Sequence, residues 1–349
     1  MIRRNSKRVK VGNIYIGGNE KITVQSMLNR PASDIEGSIR QAVELEKAGC
    51  EIIRAAVPDM AAVKLIEKLK ENLTVPVVAD IHFDYRLALA SLDAGVDKIR
   101  INPGNIGSMD RVKAVADACK AKNVPIRIGV NSGSLEKELL LKYGSPCAEA
   151  LAESALNHVS LLEQCDFDDI VISIKSSSVP IMMDSYRLVA EKCNYPLHLG
   201  VTEAGTHDMA LIKSSVGIGA LLLEGIGDTI RVSMTDDPVN EVSAANGILK
   251  ACGIKKDGVD IVACPTCGRT KIDLIGLAKE VESRLSGYKK NIKVAVMGCA
   301  VNGPGEAREA DIGIAGGDGC ALIFKKGEIV CKVPENEAVD ILIKEIEKI

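Results

Sequence analysis

Short apolar runs recur along the first 250 or so residues, separated by stretches of helical length. The runs are ITVQS (22–26), EIIRAAV (51–57), VPVVADI (75–81), DKIRIN (97–102), PIRIGV (125–130), DIVISIK (169–175), PLHLGVT (196–202) and DTIRVSM (228–234). Each is close to continuously apolar, the pattern of strands buried on both faces of a parallel sheet. Between the first two, Ile35, Ile39, Val43 and Ala48 fall in helical register. Ser33 and Glu36 read as an S-x-x-E capping box at the start of that helix, and Gly49 as its stop. Eight such strand–helix units predict an α/β fold, a (β/α)8 TIM barrel. The rival is an open doubly wound sheet, but no G-x-G-x-x-G follows the first strand.

The pattern changes after residue 254. KKDGVD (255–260) reads as a linker, and IVACPTCGRT as a strand entering a C-x2-C turn. IDLIGLAKEVESRL (272–285) has one apolar helical face, KVAVMGC (293–299) is a strand, and DIGIAGG, CALIFKK and EIVCKV are short strands. KKGE (325–328) predicts a hairpin turn, and the last residues form a helix with Val339, Leu342, Ile343 and Ile346 on one face. The expected division is therefore a barrel, residues 1–254, that binds substrate, and a small α/β domain, residues 255–349. The glycines of GIAGGDG read as a turn between strands, because no helix follows them.

Aromatic residues make up 3 % of the chain with no Trp, so the core must be aliphatic. The net charge of −3 argues against bulk nucleic-acid binding. MIRRNSKRVK lacks the apolar stretch of a signal peptide, and the longest apolar run, VGIGALLL (216–223), is too short for a bilayer. No membrane or nucleic-acid partner and a cytoplasmic location are expected. In that compartment disulfides are rare, so clustered cysteines among the 11 should mean metal or redox chemistry. The scattered Cys50, Cys119, Cys147, Cys165 and Cys193 read as packing.

Five cations interrupt five of the apolar runs: Arg54, Arg100, Arg127, Lys175 and Arg231. AGCEIIR (48–54) and AGVDKIR (94–100) even repeat the same form. Charges in buried strands are costly unless paired or bound to an anion. Each could pair with a nearby acid such as Asp80 or Glu203. Together, at the strand ends where barrel active sites lie, they predict a polyanion site, and five imply a diphosphate rather than a monophosphate. Asp80, His82, Asn102, Asn131, Glu203 and Ser233 occupy the same rim, and a carboxylate among cations is a candidate proton donor. His158, His198 and His207 show no such direction.

Cys264 and Cys267 form a C-x2-C pair, and Cys299 lies in MGCAVNGPGE (297–306). A zinc ribbon would need a second pair, and a thioredoxin-like dithiol would not need Cys299. Three thiolates fit an iron–sulfur cluster. Cys320, Cys331 or the carboxylate of Glu306 could be its fourth ligand. A carboxylate would yield more readily to a substrate oxygen.

These residues resemble the 4-hydroxy-3-methylbut-2-enyl diphosphate synthase family, of the compact bacterial two-domain type. The resemblance rests on CPTCGRT, GCAVNGPGEAREADIG, VQSM, VADIHF, KIRINPGN, IRIGVNSGSL, SIKSS, VTEAG and IRVSMT, and spans nearly the whole chain. It implies a [4Fe-4S] cluster on Cys264, Cys267, Cys299 and Glu306. It implies binding of 2-C-methyl-D-erythritol 2,4-cyclodiphosphate by Arg54, Arg100, Arg127, Asn131, Lys175, Arg231 and Ser233, with Glu203 as proton donor. Two electrons from ferredoxin or flavodoxin would open the ring and expel a hydroxyl as water. It also implies a homodimer in which one subunit's cluster domain caps the other's barrel. The alternatives are a barrel lyase or transferase on a phosphorylated substrate with a structural zinc tail, and a non-catalytic sensor of diphosphate and cluster status.

Overall fold

The computed structural model describes residues 2–300 and 307–349. Among these the chain divides into two compact units, up to Ile254 and from Lys255 onward.

The first unit begins with a hairpin, β1 (Val9–Val11) and β2 (Ile14–Ile16). Eight parallel strands follow: β3 (Thr23–Met27), β4 (Ile52–Ala56), β5 (Val77–Asp80), β6 (Lys98–Ile101), β7 (Ile126–Asn131), β8 (Ile170–Lys175), β9 (His198–Leu199) and β10 (Thr229–Ile230). They hydrogen-bond in the order β8-β7-β6-β5-β4-β3-β10-β9, and a bridge between Ile172 and Leu197 joins β8 to β9. The expected barrel is present. β9 and β10 are shorter than the apolar runs that contain them. Beyond β9 the Gly200 backbone lies so close to the Arg231 carbonyl that a Cβ there would sit 2.8 Å from its oxygen.

Alternation along each strand decides what faces where. Ile53, Ala55, Val77, Ala79, Ile99, Ile101, Ile126 and Ile128 pack outward against the helices. Ile52, Val78 and Val171 face inward and close over Val9, Val11 and Ile16, so the hairpin plugs the barrel at its N-terminal end. Above this plug the inward positions turn polar.

The helix after β3, Ile35–Lys47, corrects one sequence expectation. Its cap is Asp34, whose side chain accepts from the Gly37 N–H at 3.0 Å, and not the Ser33/Glu36 box. A carboxylate one residue later meets the free N–H groups as well as a serine would. Gly49 follows the helix at φ 94°, the left-handed stop expected of it.

The second unit is a five-stranded sheet in sequence order, β11 (Val259–Ala263), β12 (Ile292–Met297), β13 (Ile312–Gly317), β14 (Cys320–Lys325) and β15 (Glu328–Val333). The first three strands are parallel and the last two antiparallel. The helices Leu274–Arg284 and Ala338–Glu347 cover the face made by Val294, Val296, Ile312 and Ile314. Ala295, Met297, Ala315 and Phe324 form the other face. The turn between β14 and β15 has Lys326 and Gly327 at φ 48° and 84°, as its short KKGE sequence predicts.

Candidate active site

Inward positions of neighbouring strands stand in register, and this stacks the charged residues. Met27 pairs with Arg54, Asp80 with Arg100, and Arg100 with Arg127. Lys98 lies two residues before Arg100 and so also points inward. Asp80 is the local hub: its carboxylate is 3.2 Å from Arg100, 3.9 Å from the Arg54 Nε and 3.5 Å from His82. Arg54 also donates to the Met27 sulfur at 2.6 Å, and Arg100 to the Gly129 carbonyl at 3.3 Å. Gly129 is required here, since a Cβ would lie 2.3 Å from the Arg100 Nε. Arg231 is held by Glu241 at 3.4 Å, a buried carboxylate that also accepts from Ser26.

Two carboxylates do not balance these cations. Among the described residues Arg127, Lys98 and Lys175 have no ion-pair partner. All three guanidinium nitrogens of Arg127 are buried without an acceptor, as are the Lys98 Nζ, the Arg54 Nη1 and the Arg100 Nε. The electrostatics follow. Burial lowers the Arg54 pKa to about 10 against the opposing pull of Asp80. Burial, then Arg54 and Arg100, holds Arg127 and Lys175 well below their ordinary values. Burial, then Arg127 and Arg54, does the same to Lys98. For Asp80 burial acts in the raising direction, but Arg54, His82 and Arg100 outweigh it and keep the carboxyl well below its usual range. Such a site repels protons and demands an anion.

A cavity opens at the ends of β8, β9 and β10, lined by Arg54, Lys175, His198, Thr202, Arg231 and Ser233. The sequence-predicted Arg54, Lys175, Arg231 and Ser233 thus meet at one cavity. Asp80 and Arg100 adjoin Arg54, and Arg127 lies deeper. Asn102 and Asn131 do local work: their side-chain oxygens accept from Gly104 and Gly133, each at 3.1 Å, shaping the turns after β6 and β7. Glu203 is exposed, with a left-handed φ of 50° rare for a non-glycine residue. His82 is exposed beside Asp80.

Sequence reasoning passed over Lys98, Glu241 and His198. Lys98 was visible, since it alternates with Arg100 within one strand. His198 is buried, bonds Thr229 at 2.5 Å and is driven well below the normal histidine range by burial, then Arg127 and Lys98. Glu241 carries no sequence signal, because only the fold brings it under Arg231.

In the second unit Cys264 directly follows β11 and Cys299 lies two residues beyond β12, at the C-terminal ends of two paired parallel strands. Cys264 accepts from the Gly298 N–H at 3.1 Å, and Arg269 lowers the pKa of the exposed Cys267. Thiols fed by N–H donors and a cation suit thiolate ligands of a cluster. Among the described residues no three His, Cys, Asp or Glu side chains converge on one point. Cys320 is buried in β14, Cys331 lies in β15, and Glu306 falls outside the described residues.

Fold and site define a class: a parallel barrel with an anion-demanding mouth, joined to a smaller domain with cysteines at the ends of two paired strands. Solved structures agree on the barrel alone. It is similar to dihydropteroate synthase from Yersinia pestis (TM-score 0.51, 15 % identity, 71 % of this chain and 99 % of that one). It is also similar to 3-dehydroquinate dehydratase from Geobacillus kaustophilus (TM-score 0.53, 16 % identity, 72 % and 99 %). Family models are more specific: residues 6–246 match the GcpE TIM-barrel domain and residues 260–348 the GcpE protein C-terminal domain. The chain belongs to the GcpE family. Its relatives include proteins named 4-hydroxy-3-methylbut-2-en-1-yl diphosphate synthase (flavodoxin). The one from Clostridium perfringens is 62 % identical over 100 % of both chains. That from Geobacter sulfurreducens is 55 % identical over 100 % of this chain and 99 % of its own. The lyase or transferase with a zinc tail does not fit this membership.

Proposed function

We propose that this chain is a 4-hydroxy-3-methylbut-2-enyl diphosphate synthase, converting 2-C-methyl-D-erythritol 2,4-cyclodiphosphate to the linear allylic diphosphate. The observation that carries this reading is the surplus of buried cations around Arg127, which a diphosphate would neutralise. Arg54, Arg100, Lys175, Arg231 and Ser233 bind and orient it, with Arg127 beneath. Asp80 keeps Arg54 and Arg100 in place, and Glu241 does the same for Arg231. The ring opens at a C–O bond to the diphosphate, two electrons enter, and a hydroxyl leaves as water. Glu203, on its exposed turn, donates the proton for that water.

Cys264, Cys267 and Cys299 hold a [4Fe-4S] cluster, with Glu306 as the fourth ligand. When bound, the cluster supplies the electrons, received from flavodoxin or ferredoxin. The protein acts in the cytoplasm as a homodimer, and no described helix is long and apolar enough to cross a membrane. The test is anaerobic purification, metal analysis and assay with reduced flavodoxin and the cyclodiphosphate. Brown protein with iron and turnover supports the reading; zinc without iron, or iron without turnover, sinks it.

A further inference from the structure

Outside the cation cluster, one buried group of titratable side chains has no part in the proposed chemistry. His158, on the helix Ala148–Glu163, is buried, and its Nε2 lies 2.8 Å from the Glu136 carboxylate. One turn earlier on the same helix, Ser154 donates to that carboxylate, at 2.9 and 2.8 Å from its two oxygens. Two side chains of one helix therefore pin a single acid. That acid directly precedes the helix Lys137–Tyr143 and lies five residues beyond Asn131. The same nitrogen also faces the segment after β6. A Cβ on Gly104, in the short helix Pro103–Ile106, would lie 2.9 Å from the His158 Nε2, so the imidazole edge that meets Glu136 also packs close to the Gly104 backbone. Gly104 in turn donates its N–H to Asn102.

We propose that Glu136, His158 and Ser154 form a clasp that locks the loops after β6 and β7 together, and that these three are positioning residues for the diphosphate. The reasoning is geometric. Asn102 directly follows the strand that carries Arg100, and Asn131 ends the strand that carries Arg127. Each asparagine shapes its own turn, but neither turn is tied to the other by strand pairing beyond Ile101 and Ile128. The clasp supplies that tie from the helix behind. Gly104 fits because any larger residue would push His158 away from Glu136. Losing the clasp frees both turns, and a misplaced donor costs binding even where no contact to the ligand is removed.

This rests on the diphosphate reading, so the probe is inorganic pyrophosphate, titrated calorimetrically into the full-length chain. It reports the anion subsite without turnover. Wild type is expected to bind it, and His158→Phe to bind it about tenfold more weakly. His158→Gln, whose amide can donate to the same carboxylate, is expected to recover most of that loss. In turnover the His158→Phe defect should fall on KM for the cyclodiphosphate far more than on kcat. Unchanged pyrophosphate affinity in folded His158→Phe overturns the clasp. Should that variant not fold, Glu136→Gln decides in the same way, by loss or retention of affinity. Absence of pyrophosphate binding in wild type is a different result: it overturns the diphosphate reading and the clasp with it.

Discussion

Arg127 is where burial and charge conflict most sharply. It is 0 % exposed, with no acceptor for any guanidinium nitrogen among the described residues, so its burial costs stability unless an anion neutralises it. Replacing even a buried ion pair by apolar residues of similar volume is often neutral or stabilising by about 1–4 kcal/mol, and an ion with no partner has less attraction to lose. Arg127→Met should therefore melt higher than wild type without ligand and gain nothing from added pyrophosphate, whereas wild type gains several degrees. A lower melting temperature in Arg127→Met, or an equal ligand shift, would contradict this. Glu136 behaves oppositely. Burial works to raise its pKa, but His158, a backbone N–H and Ser154 bring it down to about 2. A depressed carboxyl contributes stability above its unfolded value near 4.5 and loses it as pH falls toward 2. Discounting for its partial exposure, Glu136→Gln should cost about 1–2 kcal/mol at pH 7. Urea titrations from pH 7 down to pH 3 should show the gap between wild type and variant narrowing only below about pH 4.5. A gap independent of pH would mean that the charge is not what stabilises the contact.

At the scale of elements, the seam between β8 and β9 is the weak join of the barrel. Among the described residues their strand pairing is one bridge, Ile172 with Leu197, and past the strand ends the Thr202 N–H donates to the Ser176 carbonyl at 3.2 Å. Between these, the Tyr186 hydroxyl inserts from the helix Val179–Lys192. It accepts from the Ile174 N–H at 2.9 Å and lies within hydrogen-bonding reach of the Ile174 carbonyl and the His198 carbonyl. A phenol thus stands in for strand-to-strand bonds and leaves the cavity room beside Lys175, the next residue along β8. Tyr186→Phe orphans the Ile174 N–H, which should cost about 1–3 kcal/mol in a urea titration. It should also weaken pyrophosphate binding by letting Lys175 move; full retention of both would show that the hydroxyl is incidental. None of this was legible in SYRLVA, where Tyr186 reads as one more apolar helix position. The strands themselves were legible, because burial on both faces writes continuous apolar runs. The β1–β2 hairpin was not, since VKV and IYI are three-residue segments too short to distinguish from loop. The first helix cap was misread by one residue because Ser33 and Asp34 are both good capping residues, and the helix starts one residue later than the box would place it, with Asp34 accepting from Gly37.

At the scale of the molecule, two kinds of sequence signal behaved differently. Cations inside apolar runs announced the barrel site, since little but a ligand or a partner excuses them. Their depth and pairing were not readable: Glu241 reaches Arg231 only through the fold, and Lys98 joins the cluster only because β6 alternates. The cysteine spacing made Cys264, Cys267 and Cys299 candidates, and the structure places Cys264 and Cys299 beyond the C-terminal ends of two paired strands, with an N–H donor to Cys264, without bringing three such side chains together among the described residues. The two sets lie in units with separate cores, one built from the barrel strands and helices and one from β11–β15 with two helices. A barrel with its own core and its own plug should fold without the second unit. A fragment ending at Ile254 should therefore melt cooperatively and bind pyrophosphate within about threefold of the full-length chain, since the cations of that site all precede this boundary. It should take up no iron on anaerobic reconstitution and turn over no cyclodiphosphate, because Cys264, Cys267 and Cys299 are gone. Calorimetry and metal analysis on the one fragment check both halves. A fragment that folds yet fails to bind pyrophosphate would mean that the second unit completes the anion site, and the diphosphate contacts would have to be sought there as well.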